Sequence, residues 1–222
     1  MGEVLFHSCT GAVLSTYPGD SAGGNLAAAV ALKLRDDSLR PRPRLQLLLY
    51  PVMQGVDFRL PSMLQNSDGP RLTSRSMCYF VAMYLEGSPD NKDSYCRNAH
   101  VDPGVLRQYG QTYLNVDSLP AGYRRNYARP AQGGPFDAEL WNRIKDKLLS
   151  PYFSPLLAPT VSGLPRTFVL TLENDPLRDE AMFYVLRLRQ AGVPVTHRHR
   201  QGYHGDLPTR MDDVISYISR HL

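Results

Sequence analysis

Apolar residues along this chain gather into short continuous runs separated by glycine, proline and charge. Leu45-Gln46-Leu47-Leu48-Leu49-Tyr50 is nearly unbroken and closes on Pro51, which predicts a strand buried on both faces. Thr167-Phe168-Val169-Leu170-Thr171-Leu172 repeats that pattern, and Val193 to Arg200 predicts a further strand. Between these runs the period changes. Leu26 to Leu34 is rich in alanine and leucine, strong helix formers. Asp179 to Gly192 predicts a helix with a glycine stop, with Asp179 as its N-terminal cap. A last helix is expected from about Thr209, with Met211, Val214, Ile215, Ile218 and Leu222 on one apolar face. Ala12 to Tyr17 is the candidate strand before the first helix, although Pro18 is awkward there because proline removes a ladder donor. Strand, turn, helix, strand is the opening of a parallel α/β sheet.

Strand signals fade from 52 to 150. Ser76 to Leu85 fits a helix, capped at Ser74 and stopped at Gly87, and Asp137 to Leu149 fits a second, acidic at its start and basic near its end. Met77, Phe80, Met83 and Tyr84 are expected on one apolar stripe, serving either core packing or a substrate-facing cap. Pro103 to Pro135 is expected to be loop. An insertion of this length in an α/β domain predicts a lid or binding region rather than a linker. The organisation expected is one domain, 1–222, with 52–150 as a cap or insertion.

Composition narrows the classes. Hydrophobic residues make up 42% of the 222 residues and charged ones 21%, an ordinary globular balance. The net charge of +4 is spread over the chain, which favours a solvated surface over nucleic-acid binding. No apolar run is long enough to cross a bilayer, and residues 1–14 make a poor signal peptide, so the chain reads as soluble. Cys9, Cys78 and Cys96 lack metal-ligand spacing and allow at most one disulfide.

The chemistry is concentrated in Gly19-Asp20-Ser21-Ala22-Gly23-Gly24-Asn25, directly before the first helix. Gly-x-Ser-x-Gly puts a serine on a sharp strand-to-helix turn, its hydroxyl above the sheet and the next amide aimed where an oxyanion forms. The glycines on either side of the serine are expected to allow close backbone passage. A serine needs an imidazole to take its proton, and the imidazole needs a carboxylate to orient it. Asp175 lies just past the end of the Thr167–Leu172 strand, ahead of Glu173 and Asp179 as candidates. His204, between Gly202 and Gly205, completes the order Ser, Asp, His. His197 and His199 share a strand face, but a metal site there lacks further ligands. His7, His100 and His221 show only surface context. Nucleotide binding at the glycine turn is disfavoured, since no lysine follows it in P-loop fashion.

With those residues in place, the chain resembles the hormone-sensitive-lipase branch of the α/β-hydrolases, and within it the arylacetamide deacetylase group. The matching stretches are Gly19 to Val30, Leu48-Leu49-Tyr50-Pro51, Asp175-Pro176-Leu177-Arg178-Asp179-Glu180 and His204-Gly205. The resemblance implies hydrolysis of esters and some amides of apolar acids, without a cofactor. It implies Ser21 as nucleophile, His204 as base, Asp175 as orienting acid and the Ala22 amide as an oxyanion donor. Relatives are commonly anchored in the endoplasmic reticulum membrane, facing the lumen. The family's upstream His-Gly-Gly motif has no match in residues 1–18, and only 20 residues precede Ser21. The expectation is therefore an α/β-hydrolase sheet lacking its N-terminal strands, with the likeness starting near Gly19 and residues 1–18 unrelated to the family's strand. The alternative is a shortened, catalytically inactive form with a binding role or none.

Overall fold

A computed structural model describes residues 16–38, 42–130, 133–206 and 211–221. Among these residues four parallel strands form one sheet in the order β1-β2-β3-β4: Thr16–Asp20, Leu45–Leu49, Arg166–Asn174 and Val195–Tyr203. Helix α1 (Ala22–Asp36) links β1 to β2, and α7 (Arg178–Gln190) links β3 to β4. Helix α8 (Met211–His221) comes after β4.

The leucine run divides its side chains between two cores because successive strand residues face opposite ways. Leu48 and Val169 join Ala28, Leu32, Phe183 and Val185 of α1 and α7 in the larger core. Leu45, Leu47, Leu49, Phe168, Leu170 and Leu172 meet Val214 and Tyr217 of α8 on the other face. Both faces are covered, as the unbroken apolar pattern requires. Gln46, buried in that run, donates from Nε2 to Thr167 Oγ1 at 2.7 Å.

Several expectations need correction. Pro18 sits inside β1, opposite Leu47, rather than after the strand. Among the described residues β1 is an edge strand, where a missing N–H donor is tolerated. Ala12 to Ser15, Thr209 and Leu222 lie outside the described residues. Ile215 is 55% exposed and does not belong to the apolar face of α8, which among the described side chains carries Val214, Tyr217 and Ile218.

Between β2 and β3 the chain is mainly helical: α2 (Pro61–Gln65), α3 (Ser74–Glu86), α4 (Lys92–Cys96), α5 (Pro103–Thr112) and α6 (Ala138–Leu148). Helix α5 occupies part of the expected loop. Asp102 caps it, accepting from the Gly104 and Val105 amides, and Pro103 takes the first helical position. Thr73, not Ser74, caps α3, and Gly87 ends it in the left-handed conformation. The expected stripe on α3 splits. Met77 is buried with Cys78, Val81 and Leu85, whereas Phe80, Met83 and Tyr84 are exposed. Cys78 and Cys96 form a disulfide joining α3 to α4.

Candidate active site

The strand-to-helix turn strains the backbone at one residue. Ser21 has φ 52° and ψ −119°, outside the regions L-residues favour, between the end of β1 and the first residue of α1. Neighbouring bonds hold it there: the Ser21 amide donates to Leu49 O at 2.9 Å, and Ser21 O accepts from Asn25 and Val52 amides. Asn25 Nδ2 donates to Val52 O and Phe153 O, fastening the start of α1 to the segment that follows β2 and to the one that leads into β3.

The glycines around Ser21 are not equivalent. A Cβ on Gly19 would lie 2.1 Å from Gly23 O, and one on Gly24 would lie 2.7 Å from Pro51 Cβ. At Gly23 the nearest atom would be Asp20 Oδ1 at 3.7 Å, an ordinary contact. Close approach is thus needed at Gly19 and Gly24, which corrects the expectation for Gly23.

Asp175 and His204 come to Ser21 from the ends of neighbouring strands. After Leu172 pairs with Arg200, the next pair is Asn174 with Tyr203, so β4 carries one extra residue in a bulge. Gly202, at φ 141°, lies in it. Such a bulge re-aims the residues beyond it, and His204 is the second residue past Gly202. Its Nε2 is 3.0 Å from Ser21 Oγ and its Nδ1 is 2.8 Å from Asp175 Oδ2. Asp175 is fully buried, and its other oxygen accepts from the Leu177 amide at 2.8 Å. Arg71 Nη1 donates to Gly205 O, and Asp206 Oδ2 accepts from the Tyr203 amide, which steadies the histidine loop. The first amide of α1, at Ala22, has no acceptor within its own helix, since the first turn of a helix leaves its N–H groups free.

The competing acids are engaged elsewhere. Glu173 Oε2 accepts from His199 Nε2 at 2.7 Å, and Oε1 lies 3.6 Å from Arg178. Asp179 is not a cap. It lies inside the first turn of α7, fully buried, and accepts from the Ser62 amide at 2.7 Å and Arg178 Nε at 2.9 Å. Burial raises its pKa, and Arg178 opposes that rise. Glu180 accepts from the Met53 amide and Gln54 Nε2, while burial pushes its carboxyl up to about 8. Asp179 and Glu180 therefore lock the 53–62 segment against the start of α7, while the Asp175 carboxylate faces the histidine.

His197 Nε2 and His199 Nδ1 both meet Thr171 Oγ1, at 2.8 and 2.9 Å. Burial lowers His197 to about 4, with Arg189 adding to the effect, so it stays neutral. His100 is not a surface residue. It is fully buried, stacked on Tyr95 at 4.3 Å, hydrogen-bonded through Nε2 to Gly55 O, and lowered by burial to about 4.

Sequence reasoning did not single out Tyr50. It is 2% exposed, has φ 38°, and sets its ring edge-on to the His204 imidazole with centroids 4.8 Å apart. Burial, then the charges of Asp20 and Asp175, raise its hydroxyl. Its position directly after a buried strand, beside Pro51, was the available signal.

Comparison with known proteins identifies the family of the fold. The pattern of a family described as having the alpha/beta hydrolase fold matches residues 16–119 and 124–206. That match moves the start of the likeness from Gly19 to Thr16 and takes in the whole of β1. Neutral cholesterol ester hydrolase 1 of Rattus norvegicus is 38% identical over 193 residues, covering 84% of this chain and 47% of that protein. Arylacetamide deacetylase of Bos taurus is 37% identical over 196 residues, covering 85% and 48%. Among solved structures, an arylesterase is 27% identical with a TM-score of 0.52, covering 92% of this chain and 49% of that one. An esterase of Pyrobaculum calidifontis is 25% identical with a TM-score of 0.54, covering 91% and 50%. The chain spans about half the length of the curated relatives it matches.

Proposed function

Because the chain belongs to the α/β-hydrolase-fold family, we propose that it is a serine hydrolase of carboxylic esters, and of some amides, with apolar acyl groups. The observation that carries this reading is the hydrogen-bonded line from Ser21 Oγ through His204 to Asp175. His204 Nε2 takes the hydroxyl proton as Ser21 Oγ attacks the ester carbonyl, and Asp175 stabilises the imidazolium that forms. The Ala22 amide donates to the oxyanion. Collapse expels the alcohol, which takes the proton from His204, and leaves an acyl group on Ser21. Water, deprotonated by His204, then attacks that acyl group; the acid departs and the serine hydroxyl is restored. None of these steps calls for a metal or a cofactor.

Region 52–150 is proposed as the cap that admits the acyl group, supported by its helical insertion between β2 and β3. Exposed Phe80, Met83 and Tyr84 on α3, with Tyr84 stacked on Phe153 at 5.1 Å, suit an apolar substrate. The names of the relatives support ester substrates. Among the described residues no helix is long and apolar enough to cross a membrane; attachment to the endoplasmic reticulum is proposed on the resemblance alone.

The test is turnover of p-nitrophenyl butyrate by the purified chain and by Ser21→Ala. Release of nitrophenol that the variant loses supports the reading; equal release from both removes Ser21 from it. The competing reading, a non-catalytic form, draws on the single strand partner of β1 among the described residues. It predicts no turnover in either protein and rapid amide exchange along β1 and β2.

A further inference from the structure

A concave site lies away from Ser21, Asp175 and His204, none of which lines it. It is a cavity of about 680 Å³ between α5, the turn after it and the 124–130 segment. Among the described residues its wall carries four arginines, Arg59, Arg107, Arg124 and Arg129, against one carboxylate, Asp117. Ordinary surfaces intersperse the two signs; a concave wall of one sign concentrates field and draws counter-ions.

The arginines are held in different ways. Arg129 Nη1 is pinned at 3.1 Å to Asp57, which is fully buried and also takes hydrogen bonds from Asn98 Nδ2 and the Arg59 amide. Only one edge of the Arg129 guanidinium is used in that bond, and its Nη2 reaches the open side of Gly110, 3.9 Å from where a Cβ would stand. Arg124 meets Asp117 at 3.5 Å, but Asp117 is 87% exposed, so the pair is solvent-screened and readily exchanged for a better acceptor. Arg107, on the exposed side of α5, makes no hydrogen bond or ion pair with the described residues. The rest of the wall includes Leu106, Val116 and the Tyr127 ring, which suit a carbon skeleton rather than a bare ion. Guanidinium forks match the paired oxygens of phosphate.

We propose that this cavity binds an organic phosphate, its phosphate held by Arg107, Arg124 and Arg129 and its carbon portion against Leu106, Val116 and Tyr127. The phosphate can belong to a soluble ester or to a lipid headgroup. The site is separate from the hydrolytic one, and its occupancy does not depend on that activity.

Calorimetric titration of the full chain with phenyl phosphate, and with neutral benzyl alcohol as control, tests it. A parallel flotation assay uses phosphatidylcholine vesicles with and without phosphatidic acid. Two variants accompany each: Arg107→Ala, which removes an exposed guanidinium, and Gly110→Leu, which fills the cavity from a helix position where leucine is the better helix former. The expected result is phenyl phosphate binding weakened about 10- to 100-fold by loss of the guanidinium, and abolished by Gly110→Leu. Binding only to vesicles containing phosphatidic acid, with the same dependence on both variants, also supports the site and assigns it to a headgroup. No binding in either assay overturns the proposal, as does binding that both variants leave unchanged or that benzyl alcohol matches.

Discussion

At Ser21 the chain accepts a strained φ of 52° because neighbouring residues leave it little alternative. Gly19 is the clearest of these. Gly19→Ala would place a carbon 2.1 Å from Gly23 O, a backbone atom that cannot move without unwinding α1. We expect it to destabilise the protein by more than about 3 kcal/mol, above the usual range of single substitutions. Gly23→Ala, with its nearest contact at 3.7 Å, should be neutral or stabilise by up to about 1 kcal/mol through helix propensity. Urea midpoints compare the two, and equal losses would mean the turn is built differently. The Tyr50 hydroxyl is buried without a hydrogen-bond partner among the described residues. Tyr50→Phe should therefore raise the melting temperature slightly, by an effect of about 1 kcal/mol, and leave the ring against His204 in place; a fall would reveal a partner for the hydroxyl. Ser21, Asp175 and His204 were legible because a serine turn, a strand-end acid and a glycine-flanked histidine leave local marks. Tyr50, Thr171 and Glu180 were not, since their roles arise only when distant segments meet. Asp179 misled for the same reason: next to a helix start an acid reads as a cap, yet its partner is Ser62, remote in sequence.

Elements follow local pattern where one face decides their place. The strands β2 and β3 announced themselves by runs that two covering layers must bury. Helix α5 was missed because it has no fully buried residue, so no apolar stripe marked it; only Asp102 and Pro103 did. Its cap is accordingly important. Asp102→Ala should cost about 1 kcal/mol and lower the protection of the Gly104 and Val105 amides in hydrogen exchange, and unchanged protection would mean the cap is dispensable. In α8 the helical period allowed two neighbouring faces, and packing against Leu45, Leu47 and Phe168 selected the one with Val214 and Tyr217. Val214→Ala should cost about 1–3 kcal/mol as a buried truncation, whereas Ile215→Ser should stay within about 0.5 kcal/mol, as surface changes do.

Over the whole molecule, buried titratable groups make stability depend on pH with opposing signs. His100 is held neutral down to about 4, against an ordinary 6.5, so the unfolded chain binds more protons between those values and stability falls as pH drops through them. Glu180, raised from 4.5 to about 8, favours the proton in the folded state, so its contribution falls as pH rises across that range. The variant His100→Gln should flatten the acid side of the profile by up to about 3 kcal/mol without touching the alkaline side; an unaltered acid limb would contradict the burial of His100. The Cys78–Cys96 bridge closes a loop with a sequence separation of 18, and its reduction should cost about 3 kcal/mol on a chain-entropy basis, read as a lower urea midpoint. The family assignment and the meeting of three distant side chains bear on the same central claim, that Ser21 is a base-activated nucleophile. Fluorophosphonate labelling with peptide mapping tests it most directly. The account predicts one adduct, on the peptide bearing Ser21, absent in Ser21→Ala and formed far more slowly in His204→Ala. A label on another residue, or equal labelling of Ser21 in His204→Ala, would contradict it.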